Sequence, residues 1–286
     1  LRAAVFAPHL KFMDGKTEMT LDIRLDGRTA LITGGGSGIG LAMAEALHAQ
    51  GAAVALLGRT KAKLEAAERQ IAAGGEGRVL TVVADVNDVE AVADALREAH
   101  QWQGRLDIVI NCAAPLLAVG PLAEADEAVM SDALNAKTVG YLRVARAALP
   151  LIEKGGTGRI INIAGMAAHM LVPNIGVAAA VNAAVVAMTS YLAAEAAPQG
   201  VLVNGISPGM TLTQVWLDRH AATAEAKNLT PEQVRDGMVE NLGIRLGRWA
   251  RPEEIAAAAV FLASDLSSYV SGQVLQVDGG LGKSVI

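Results

Sequence analysis

A single cysteine, Cys112, excludes an intramolecular disulfide framework and a cysteine-rich metal site. Its neighbours, Val109-Ile110-Asn111 and Ala113-Ala114, are those of a packed core residue rather than of an activated nucleophile. Basic residues are also in short supply: 24 Lys and Arg against 29 Asp and Glu leave a net charge of −5. That excludes the basic surplus by which nucleic acid or an anionic membrane is drawn, and points to small molecules as partners. No uninterrupted apolar run reaches the ~18 residues of a membrane span. Leu1 to Leu10, broken by Pro8 and His9, carries no clear secretory pattern, so the expected compartment is the cytoplasm. Tyrosine is the most telling scarcity. Only Tyr141, Tyr191 and Tyr269 occur, and four positions beyond them stand Ala145, Glu195 and Gln273, so no Tyr-x-x-x-Lys exists in the chain.

What is abundant is apolar sequence, 52% of 286 residues against 19% charged, enough to bury one large α/β core. Residues 1–26 read as an N-terminal extension, because charges interrupt every periodic pattern there. From 27 to 286 a single domain is expected. Short β-branched runs near 29–33, 53–58, 79–84, 106–111, 158–164, 200–206 and 273–277 have the look of buried strands. Segments near 38–50, 61–73, 88–102, 126–153, 176–197 and 252–263 read as helices between them. Such alternation predicts a doubly wound Rossmann fold, a parallel sheet of about seven strands with helices on both faces. The stretch 211–248 breaks the rhythm and reads as an insertion that shapes a ligand site.

Thr33-Gly34-Gly35-Gly36-Ser37-Gly38-Ile39-Gly40 joins the first strand to the first helix, the context that a dinucleotide-binding turn requires. Gly34 and Gly38 let the backbone approach a pyrophosphate, and Gly40 lets helix and sheet pack closely. The amides around Ser37, Gly38 and Ile39 would meet the phosphate charge at the helix N-terminus. After the second strand an acidic residue would accept the ribose hydroxyls of NAD(H). Gly58 and Arg59 stand there instead, and a guanidinium suits the 2′-phosphate of NADP(H).

Together with Asp85, Asn111-Cys112-Ala113-Ala114, Ser207-Pro208-Gly209 with Thr213, Arg251-Pro252-Glu253-Glu254 and Val277-Asp278-Gly279-Gly280, these motifs resemble the short-chain dehydrogenase/reductase family over nearly all of residues 27–280. The resemblance implies that Asp85 and Val86 hold the adenine, that Asn111 to Ala114 line the ribose, and that Pro208, Gly209 and Thr213 hold the nicotinamide. It also implies dimers or tetramers built on the segments near 126–153 and 176–197 and on the C-terminal segment. The fourth-strand motif departs from the family pattern at Cys112 and Ala114.

The catalytic positions depart much further. Family members use an Asn, a Ser, and a Tyr and Lys spaced i and i+4 on one helix face. Matching by resemblance puts Lys137 at the Asn, Gly165 at the Ser, Ala178 at the Tyr and Asn182 at the Lys. A register shift restoring Asn135 to the Asn position leaves the other three missing. Lys137 and Asn182 look like an exchange between two helices, so Lys137 is a candidate proton donor, with His169 as a second candidate. Asn182 retains the capacity to hydrogen-bond the nicotinamide ribose. The vacated space favours an apolar or bulky ligand, lined by candidates Met166, Met170, Leu171, Val172, Met210 and Trp216. Two readings follow: an enzyme with a noncanonical active site, as oxidoreductase or non-redox enzyme, or a catalytically inactive nucleotide-binding pseudoenzyme acting as sensor or assembly partner. No metal site is expected.

Overall fold

The central β-branched runs are largely apolar on both sides, and such runs are stable only where both faces are covered. The computed structural model describes residues 10–13, 16–19, 23–74, 78–115 and 119–282. A short antiparallel pair, β1 (Leu10–Met13) and β2 (Lys16–Met19), comes first. The main sheet is built from β3 (Thr29–Thr33), β4 (Ala53–Gly58), β5 (Val79–Val83), β6 (Ile108–Asn111), β7 (Arg159–Ile163), β8 (Leu202–Pro208) and β9 (Val274–Val277). All seven run parallel in the order β5-β4-β3-β6-β7-β8-β9. The predicted seven-stranded, doubly wound sheet is the observed one.

Alternation along each strand feeds two cores. On one face Ile32, Leu56 and Ile110 pack with α1 (Gly38–Ala49), α2 (Lys61–Ala72) and α9 (Pro252–Ala263). On the other, Leu31, Leu57 and Val109 pack with α3 (Val89–Gln103), α5 (Gly140–Ala148) and α6 (Gly176–Ala196). Each fully buried Leu or Ile contributes roughly 1.5–3 kcal/mol. The order reverses between β3 and β6, so a crevice opens at their carboxyl ends, where such sheets bind ligands. Among the described residues one helix, Gly176–Gln199, is long and apolar enough to cross a membrane by length and composition. Here it lies on the sheet with Val181, Val185 and Leu192 buried.

Three expectations need correction. The extension does not run to 26: Leu25 is fully buried, its amide donates to the Gln50 carbonyl at 2.7 Å, and Ile23 packs beside it. The strand pair ahead of it was signalled by an Asp-Gly pair at 14–15 between two short runs. The single helix expected over 126–153 is three pieces: α4 (Glu127–Ala133), a π-helical turn Leu134–Val139, and α5. The wide turn is anchored by Arg143, which donates to the Asn135 side chain at 2.6 Å and to the Val86 carbonyl at 3.2 Å. The 211–248 stretch is itself helical, as α7 (Gln214–Lys227) and α8 (Pro231–Leu242). Thr230 and Gln233 close a reciprocal capping box around Pro231, a start signal present in the sequence.

In the glycine turn the tightest constraint is at Gly40, where a Cβ would stand 2.3 Å from the Gly34 carbonyl oxygen. Backbone has to move to admit a methyl there. Gly40→Ala is expected to lower stability by about 1–3 kcal/mol, read from urea unfolding midpoints.

Candidate functional site

The glycine turn, the carboxyl ends of β4, β5 and β6, and the start of α7 enclose a cavity of about 420 Å³. Of the residues expected to hold a cofactor, Gly34, Ser37, Gly38, Ile39, Gly40, Arg59, Asp85, Val86, Ala113 and Thr213 line it. Gly34, at φ +72°, is there because a Cβ would press within 3.0 Å of the Ala113 Cα. The same loop is tied down by Thr33, whose hydroxyl accepts from the Cys112 and Ala113 amides at 2.9 and 3.0 Å. Gly38, at φ +56°, faces the Thr213 side chain 3.4 Å beyond its absent Cβ, so the base of α7 roofs the turn. Ser37 makes no side-chain capping bond, and the first-turn amides of α1 lack helical partners. That donor set fits the pyrophosphate of a nicotinamide dinucleotide. Arg59 is largely exposed and stands 3.7 Å from the Asp85 carboxylate, whose other oxygen accepts the Asn87 amide.

Other expected contacts are placed differently. Asn111 is fully buried and does not line the cavity: its amide donates to Asn162 Oδ1 at 2.9 Å and to the Tyr141 carbonyl at 3.4 Å, inside the sheet. Pro208 and Gly209 do not line the cavity either, and a Cβ on Gly209 would lie 2.6 Å from the Asp278 Cα. Glycine there has a packing reason as well. Cys112 does line the cavity, but burial pushes its thiol up to about 12, so it stays protonated.

The positions matched to the family's catalytic set converge. Lys137, 5% exposed within the π turn, donates from Nζ to Asn182 Oδ1 at 2.7 Å and to the Ala164 carbonyl at 2.9 Å. Asn182 is oriented by its own amide, which donates to the Ala178 carbonyl at 2.8 Å. Gly165, in extended backbone, leaves the room that Asn182 uses: a Cβ there would be 3.1 Å from Asn182 Nδ2. Asn135 points away to Arg143, so the register puts Lys137 in the cluster. Tyr141 is no donor to a ligand, being fully buried with its hydroxyl on the Ile163 carbonyl at 3.2 Å.

A second cavity, about 740 Å³, lies between α7, α8 and the segment after β7. Met166, Val172, Met210 and Trp216 line it as expected, whereas Leu171 is 93% exposed and Met170 packs into the neighbouring Met210-Trp249 cluster. His169 ends the turn Met166–Ala168, with Nε2 buried and unpartnered, and lines neither of these two cavities. His220 went unnoticed in the sequence. It lines the second cavity with its ring against Trp216 and Trp249, at centroid distances of 5.9 and 4.7 Å. The available signal was the i, i+4 spacing of Trp216 and His220.

Comparison with known proteins adds three kinds of match. A family model described as enoyl-(acyl carrier protein) reductase matches residues 34–282. Gluconate 5-dehydrogenase of Gluconobacter oxydans is 33% identical over 261 residues, 91% of this chain and 97% of that protein. L-sorbose reductase from Gluconobacter frateurii, solved with NADPH and L-sorbose, superposes with a TM-score of 0.86 at 28% identity, covering 93% of this chain and 100% of that one. An NADPH-bound short-chain oxidoreductase from Pseudomonas aeruginosa PAO1, described as containing an atypical catalytic center, superposes with a TM-score of 0.83 at 33% identity, covering 92% and 99%.

Burial lowers the Lys137 ammonium from 10.5 to about 8. Between those values the unfolded chain keeps a proton that the folded chain has lost, so this group makes stability rise with pH across that window. Below it the buried ammonium opposes folding by about 3 kcal/mol. Lys137→Met is expected to remove that rise, seen as a smaller difference between urea midpoints at pH 7.5 and pH 10 than in the parent protein.

Proposed function

The chain belongs to the short-chain dehydrogenase/reductase family, and on that premise we propose that it is an NADP(H)-dependent oxidoreductase of a carbonyl or hydroxyl compound in which Lys137, not a tyrosine, handles the substrate proton. The observation carrying this reading is the Lys137-Asn182 hydrogen bond at 2.7 Å, which joins the residues that resemblance matches to the family's Asn and Lys. Bound NADP(H) supplies or accepts the hydride. Lys137 as ammonium donates to the oxygen of a carbonyl being reduced, and as neutral amine takes the proton of a hydroxyl being oxidised. Asn182 and the Ala164 carbonyl hold the amine in place, and Gly165 keeps a serine-sized group out of the space Asn182 fills. Lys137 is preferred over His169 because it lies in this cluster. A relative that carries NADPH with an atypical catalytic center supports chemistry without the usual set. The pseudoenzyme reading gains no such support, since these relatives are dehydrogenases and reductases.

Exposed Arg59 beside Gly58 supports NADP(H) over NAD(H). Asn182 remains a candidate for the nicotinamide ribose, with Pro208 and Gly209 supporting the nicotinamide loop. For the whole chain we propose one dinucleotide-binding domain behind an N-terminal extension. The homodimer or homotetramer would pack α4, α5 and α6, where Leu142 and Tyr191 are exposed.

Lys137→Met is expected to lower kcat by about 10²–10⁴ while leaving NADPH affinity unchanged by fluorescence titration. In the parent protein carbonyl reduction should fall as pH rises through about 8, and alcohol oxidation should rise through the same value. A pH profile unaltered in the variant overturns the assignment. Arg59→Ala should weaken NADPH roughly tenfold and leave NADH unaffected, as expected for one charge-assisted contact to the 2′-phosphate.

A further inference from the structure

The larger cavity has walls of two different characters. Along α7, Trp216, Arg219, His220, Thr223 and Lys227 recur at steps of three and four and share one face. Across from them α8 presents Val234, Gly237, Met238 and Leu242. Met166, which follows Gly165, and Met210, which follows Gly209, add to the lining.

Three observations bear on what fits there. The lining includes Arg219 and Lys227 but no aspartate or glutamate, and among the described residues neither cation is in an ion pair. Arg219 instead lies 5.1 Å from the centre of the Trp216 ring. His220 is 2% exposed, and both of its ring nitrogens lack a hydrogen-bond partner. Buried nitrogens in that condition are rare and costly, and a ligand's polar group relieves them. Burial and the nearby Arg235 lower the His220 pKa, keeping the ring neutral with one N–H to donate. Finally, a Cβ on Gly237 would meet nothing within 4 Å, so the α8 wall is open where a side chain would stand.

We propose that this cavity binds the substrate and selects an apolar oxo-acid: the carboxylate lies on the α7 face, held by Arg219 and Lys227 with a hydrogen bond from His220, and the apolar body lies against Met166, Met210 and Met238. A polyhydroxy compound would leave its hydroxyls unpaired along those methionines. The carbonyl's fate rests on the redox reading above; the binding does not.

Calorimetric titration of the full chain with NADP+ bound tests this, using 8-oxononanoate, its methyl ester and L-sorbose. The acid is expected to bind at least about tenfold more tightly than the ester, with L-sorbose weaker than both. Arg219→Ala with Lys227→Ala should abolish the preference for acid over ester. Gly237→Leu should block both, while NADPH affinity in the separate glycine-turn cavity shows that the fold is intact. His220→Phe should raise Tm, because two unpaired nitrogens disappear, and weaken the acid. That split is not the signature of a purely structural residue. Equal binding of acid and ester, preferential binding of L-sorbose, or normal acid binding by Gly237→Leu each overturns the proposal. Acid bound without NADPH consumption supports the cavity's role and counts against the redox reading. L-sorbose reduced without acid binding does the reverse.

Discussion

A buried ammonium needs every one of its hydrogens accounted for, and much of this site is arranged around that requirement. Lys137 Nζ finds Asn182 Oδ1 and the Ala164 carbonyl, and the Tyr141 ring lies 5.9 Å away on a further side. Asn182 has to present its oxygen to the lysine, so its amide turns to the Ala178 carbonyl. Gly165 then has to lack a side chain, since Asn182 stands where a Cβ would lead. The π turn that carries Lys137 is part of the same solution, because a regular helix over 126–153 would have placed these side chains on a different register. Lys137, Asn182 and Gly165 are therefore one physical unit, tied by the hydrogen bond between the first two and by the room that the third leaves for the amide.

The cofactor cleft obeys a different constraint, close approach of backbone to backbone. Gly34, Gly38 and Gly40 each sit where a side chain would meet the β6 loop, the start of α7 or the turn itself. Thr33 fastens the β6 loop from beneath. Because Thr213, the cap residue just before α7, faces Gly38, the helix that roofs the glycine turn is also the helix whose other residues line the larger cavity. Cofactor cleft and ligand cavity thus share an element. A ligand that orders α7 would also order the roof of the cofactor.

How much of this was legible in the chain depends on the range of the interaction. Strand alternation and helix spacing are local, and the seven strands and the helices over 38–50 and 252–263 were readable to within a few residues. The π turn was not, because the Arg143 bonds that hold it bridge to Asn135 and to the loop after β5. Asn111 was assigned to the ribose by its motif, yet it faces Asn162 from the neighbouring strand, a partner 51 positions away. His220 was only half legible: Trp216 stands four positions before it in α7, but Trp249, the nearer ring, is 29 positions away.

The sequence by itself determined the doubly wound sheet, the glycine turn with Arg59 behind it, and the lack of any Tyr-x-x-x-Lys, because each depends on residue type and short spacing. The tertiary structure decided that Lys137 meets Asn182 and that Asn135 does not. It also gave the insertion at 211–248, which the sequence marked as shaping a ligand site, an apolar, cation-rimmed cavity. Those outcomes depend on which elements the right-handed crossovers bring together at the carboxyl ends of the strands, a geometry that no local pattern encodes.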